Sequence, residues 1–149
     1  MRYHDSAEIE TVVYKLENCE YRKEEFTHPM HLAVAAWYLT RLPYEEALDR
    51  MRSALLRFTR HHGVTGYHET ITRFWLRLVA DFLEEPAAPD LASRVNALIE
   101  CYGNKQILFD YYSREWVMSE EARNGWVEPD LRSLDSPAGE TTPSPTQPE

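Results

Sequence analysis

Five of the chain's six histidines fall between residues 28 and 68, in three short groups. "FTHPMHLAV" carries His28 and His31, "RHHGV" carries His61 and His62, and "YHET" carries His68 followed by Glu69. Imidazole is the commonest transition-metal ligand, and its ordinary pKa lies closer to neutral pH than that of any other side chain. Two chemistries therefore come into view. Several inward imidazoles with a carboxylate could hold a transition metal. A histidine beside a glutamate could instead move protons without a metal. The spacings match no named metal motif, and "GVTG" lacks the glycine pattern and following lysine of a phosphate loop.

What must position these rings is a set of helices. Asp5 followed by Glu8 reads as a capping box, and Ile9, Val12, Val13 and Leu16 share one helical face, giving a helix over roughly residues 6–18. Thr27 and Pro29 open a second helix running to about Arg41, with a stripe of His28, His31, Leu32, Ala35 and Tyr38. A third spans roughly 43–62, its face built from Leu48, Met51, Leu55, Phe58 and His62, and Gly63 and Gly66 end it. A fourth spans roughly 67–84, with His68, Ile71, Trp75, Leu78 and Phe82 aligned. Asp90 caps a fifth, which carries Leu91, Val95, Leu98 and Tyr102. The remainder to about Leu131 reads as one or two short helices and a wrap in which Tyr111, Tyr112, Trp116 and Trp126 cover the bundle. No segment reads as a strand, so the expected fold is all-α, a single helical domain over residues 1–135. The Pro-, Thr- and Ser-rich tail 136–149 is expected to be disordered.

Short connections make neighbouring helices antiparallel. The start of the second helix, the end of the third, the start of the fourth and the end of the fifth then share one end of the bundle. His28, His31, His62 and His68 would point inward there as metal ligands, while His61 faces solvent. Glu69 would be a ligand or general base, His62 a ligand or proton shuttle, and Tyr67 and Tyr112 substrate contacts. Glu17, Glu20, Glu24 and Glu25 are further carboxylate candidates. Each residue also has a plain structural role available. His28 and His31 could cap and pack a helix start, Glu69 could favour a helix N-terminus, and the tyrosines could be core.

The formal net charge is −9, with 25 acidic against 16 basic residues and no basic block, which argues against nucleic acid or an anionic membrane as partner. No apolar run approaches the ~18 residues that would span a bilayer, and "MRYHDSAEIE" lacks a signal peptide's apolar segment. Cys19 and Cys101 form no CxxC pair and are expected to be free thiols, so a cytoplasmic location is expected. Trp37 and Trp116 are the candidates for a homodimer contact.

The segments "FTHPMHLAVAAWYL", "ALDRMRSALLRFTRHHGVTGYHETITRFWLRLV" and "YYSREWVMSEEARNGWVEPDL" resemble a family of small uncharacterised bacterial helical proteins. Its pattern corresponds here to Phe26, His28 and His31, then His62 and Gly63, then Tyr67, His68, Glu69 and Thr70, then Tyr111, Tyr112 and Ser113. The resemblance covers roughly residues 16–134. It implies importance for the same residues and adds no reaction.

The expectation is thus a small enzyme using a transition metal (Fe, Zn, Cu or Mn) on a small metabolite or biosynthetic intermediate. Two alternatives stand beside it. One is a metal-free His/Glu acid–base enzyme of isomerase or dehydratase type. The other is a non-enzymatic module that binds a metal, a ligand or a protein.

Overall fold

The structure, a computed structural model, describes residues 2–84 and 90–134. Its described residues form an all-α domain with no strand. The helices are α1 (Ser6–Glu17), α2 (His28–Leu39), α3 (Tyr44–His61), α4 (Glu69–Glu84) and α5 (Leu91–Tyr102). Three short ones follow: α6 (Leu108–Tyr111), α7 (Arg114–Val117) and α8 (Glu120–Asn124). The tail expected to be disordered lies outside the described residues.

The helix ends follow from local chemistry. Asp5 caps α1 by accepting the Glu8 amide at 3.1 Å, but Glu8 takes the His4 amide at 2.6 Å rather than closing a box on Asp5. Thr27 stands at the α2 N-cap without a side-chain cap bond, and Pro29 occupies the first turn. Gly63, at φ 68°, gives α3 a left-handed stop. The Gly63 amide donates to the Arg60 carbonyl and the Val64 amide to the Thr59 carbonyl, which satisfies two of the last carbonyls of α3.

The hub is α2. A single inward stripe was expected for it. Instead Met30, Leu32, Ala33, Val34, Ala35, Ala36 and Tyr38 are all buried, covering every side. The short alanine side chains let neighbours approach closely all round, and a helix apolar on all sides must be enclosed. It is: α1, α3, α4 and α5 each pack on α2, and they close a ring around it in which α1 and α4 each touch both α3 and α5. The C-terminal segment lies over this core, with α8 against α4. Tyr111 and Tyr112 are buried and Trp116 and Trp126 half-buried, as the wrap required. Trp37 stacks on the Arg41 guanidinium at 3.3 Å, and the Trp116 indole donates to the Glu128 carbonyl, so both proposed dimer-contact rings have partners within the chain. No helix of the described residues is long and apolar enough to cross a membrane.

Candidate functional site

The helix directions bring the expected elements to one end. The His28 ring meets the Tyr102 carbonyl at the end of α5, and Phe26, just before α2, packs on Phe58 near the end of α3. The four imidazoles nevertheless do not form one cluster, because separate backbone carbonyls hold three of them.

His68 is the N-cap of α4. Its carbonyl accepts from the Thr72 amide, its Nδ1 accepts from the Ile71 amide at 3.1 Å, and its Nε2 donates to the Val117 carbonyl at 2.7 Å. Both ring nitrogens are committed and the ring is neutral, with burial the leading cause of its lowered pKa. His62 donates from Nε2 to the Tyr21 carbonyl at 2.9 Å and packs on the Phe58 ring. His61 is exposed, as expected. Its ring lies edge-on to His62, with centroids 4.9 Å apart, and of the four expected ligands His28 and His31 alone stand together, with centroids 6.4 Å apart. Among the described residues no three His, Cys, Asp or Glu side chains gather as a metal-holding group. The four imidazoles expected to converge are thus divided: His28 and His31 stand together, while His62 and His68 are held by the Tyr21 and Val117 carbonyls.

Glu69 is also engaged elsewhere. Arg52 grips it with two bonds, Nε to Oε1 at 3.0 Å and Nη2 to Oε2 at 2.6 Å, and the Tyr67 hydroxyl donates to Oε1 at 2.6 Å. The Arg52 bonds hold the Glu69 carboxyl below its ordinary value against the opposing effect of burial, and Tyr67 lowers it further. Burial, then the Glu69 carboxylate, pushes the Tyr67 phenol up. A carboxylate so satisfied is a poor general base, and a phenol so bound keeps its proton. Tyr67 and Glu69 border a separate groove of about 520 Å³ with Thr59, Arg60 and Arg123. Tyr112, expected at the substrate, is fully buried, with its hydroxyl donating to the Val127 carbonyl at 2.7 Å and its ring against Phe74. Glu17, expected at the histidines, accepts from the Tyr38 hydroxyl and from Arg50.

What does assemble around His28 and His31 is a cleft of about 580 Å³. Its floor is apolar and buried, made by Phe58 of α3, Trp75 of α4 and Leu108 of α6. Phe26, Leu55 and Ile71 extend that surface, and Lys105, Phe109, Arg114 and Met118 of the C-terminal segment stand along it. His28 packs edge-on against Trp75, with centroids 4.4 Å apart, while its Nε2 donates to Tyr102. Burial lowers its pKa, the Tyr102 bond acts the other way, and the Lys105 charge adds to the lowering. His31 donates its backbone amide to the Thr27 carbonyl at 3.0 Å, but its ring, in contact with Phe26 and His28, makes no hydrogen bond among the described residues. Protein surrounds it closely enough for burial to bring its pKa down to about 4, with His28 a smaller contributor, yet it keeps a partly exposed edge on the cleft. At neutral pH it therefore offers one N–H and one lone pair to whatever occupies the space.

No protein-family model, no curated protein and no solved structure matches this chain.

The cleft's functional character thus rests on its own geometry. Its size lies within the range of small-molecule sites, ~300–1,000 Å³, and apolar walls with a few polar groups are their usual composition. The stripes on α2, α3 and α4 pointed to His28, His31, Leu55, Phe58 and Trp75. Lys105, Phe109, Arg114 and Met118 carry no such mark, because helices of a turn or so leave no readable period. The pair of cations flanking Phe109 was the one available signal.

Proposed function

We propose that this protein binds a small, largely apolar molecule in the cleft at the start of α2, without a metal, and that the neutral His31 imidazole is the polar group meeting it. The observation that carries this reading is an imidazole without a hydrogen bond, set among aromatic and aliphatic walls. The ring nitrogens open onto the cleft instead of onto protein partners, and a ligand with a donor or acceptor would bond to them there. Of the three readings the sequence left open, the ligand-binding module fits best. An acid–base step would need a base with a pKa near the working pH, and His31 at about 4 is too weak. The expected glutamate partner is tied to Arg52. A metal would have two imidazoles, one of them donating to Tyr102. The net charge of −9 favours a small molecule over nucleic acid as partner.

The test is a titration with N-phenyl-1-naphthylamine, a neutral aromatic dye that brightens in apolar surroundings. Wild-type protein should bind it saturably at one site, with or without chelator. Leu55→Trp fills the cleft from α3, and Met118→Trp blocks its edge from an exposed position. Each should weaken binding by about tenfold or more, since ~1.4 kcal/mol of lost contact suffices. Binding that ignores both substitutions, or that appears only on adding a divalent metal, contradicts the proposal.

A further inference from the structure

We infer that the molecule held in this cleft carries an anionic group at one end, seated between Lys105 and Arg114, an inference that rests on the cleft being a small-molecule site. Acidic side chains outnumber basic ones 25 to 16 in the chain. The cleft reverses this balance: among the described residues it is lined by Lys105, Arg114, His28 and His31, and by no Asp or Glu. Every formal charge on its wall is positive.

Neither Lys105 nor Arg114 makes an ion pair with a carboxylate among the described residues. The Arg114 guanidinium instead stacks over the Phe109 ring, 4.3 Å from its centroid. That contact fixes the cation beside an apolar surface while its N–H edge stays available. Two arginines of α3 are matched by acids instead: Arg52 by Glu69 and Asp49, and Arg50 by Glu17.

Depth separates the two kinds of wall. Phe58, Trp75 and Leu108 are buried, whereas Lys105 and Arg114 are exposed. A ligand entering the cleft would place its apolar body on the aromatic floor and its charged end at the rim. There both cations can donate to a carboxylate or sulfonate while water still solvates the group. This geometry describes an amphiphilic organic anion with an aromatic or aliphatic body. A free inorganic anion would leave the floor unused, and a neutral hydrocarbon would leave the rim unused.

Two dyes that differ by one sulfonate separate this inference from the reading beneath it: neutral N-phenyl-1-naphthylamine and anionic 8-anilino-1-naphthalenesulfonate. In wild-type protein, added salt should weaken the anionic dye and leave the neutral one unchanged. The Lys105→Gln/Arg114→Gln double variant should raise the Kd of the anionic dye about tenfold more than that of the neutral dye, whose continued binding shows that the cleft remains folded. Equal changes for the two dyes, or no change for the anionic one, overturn the anionic end while the cleft stands as a binding site. Failure of both dyes to bind wild-type protein overturns both proposals.

Discussion

Glu69→Gln is expected to lower the melting temperature by about 8 °C and to leave dye binding in the cleft unchanged. The cost arises in the ion pair. Glu69 is buried at the start of α4 and accepts two bonds from Arg52 and one from Tyr67. Removing one partner of a buried pair typically costs ~3–5 kcal/mol. Here the Arg52 side chain is 31% exposed and regains some hydration, so ~2–3 kcal/mol is expected. The helix N-terminus loses a favourable charge as well. The acid limb of the stability profile should change with it. A carboxyl held below 4.5 in the folded chain contributes stability that is present above pH 4.5 and lost as pH falls through the lower folded value. The variant should lack that contribution in a series of urea melts from pH 7 downward. A variant as stable as wild type would mean that the three bonds contribute nothing net. Loss of dye binding at unchanged stability would return Glu69 to the binding site.

His68→Ala is expected to cost ~2–3 kcal/mol, combining a lost helix cap with an unsatisfied buried carbonyl. Its ring joins two parts of the molecule, taking the Ile71 amide of α4 on one nitrogen and giving the other's proton to Val117 at the end of α7. His68→Asn separates these contributions. Asparagine is a good N-cap and should recover ~1 kcal/mol, but it is too short to replace the imidazole at the Val117 carbonyl. Limited proteolysis should then cut the segment around α7 and α8 faster in both variants, and urea denaturation should rank stability as wild type, Asn, Ala. Equal stability of Asn and Ala would remove the capping role. The pH dependence runs in the same direction as for Glu69. A histidine whose folded pKa lies below 6.5 contributes stability that is present above pH 6.5 and lost as pH falls through the folded value.

The helical architecture was readable because α1, α3, α4 and α5 carry periodic faces and chemical signals mark the helix ends: Asp5 and Asp90 as caps, Pro43 between helices, Gly63 in a left-handed turn. Period also placed the histidines at the correct end of the bundle. It could not say which atom each ring nitrogen would meet. The partners of His28, His62 and His68 are the carbonyls of Tyr102, Tyr21 and Val117, and carbonyls leave no mark in a sequence. The same limit explains Glu69. Its position after a histidine suggested chemistry, whereas Arg52, a whole helix away in the chain, decided its state. The central place of α2 was legible in hindsight from "HLAVAAWYL", where small residues fill the positions a one-sided helix would leave polar.

Histidine-selective nitrogen NMR, with and without N-phenyl-1-naphthylamine, tests most directly which imidazoles make the site. His31 should stay neutral while the pH falls through the ordinary histidine range and should titrate only near its lowered value of about 4. Added dye should shift the His31 and His28 resonances and leave those of His62 and His68 in place. A His31 that titrates near 6.5, or bound dye that moves His62 and His68 while His31 stays still, would contradict a ligand site built on the start of α2.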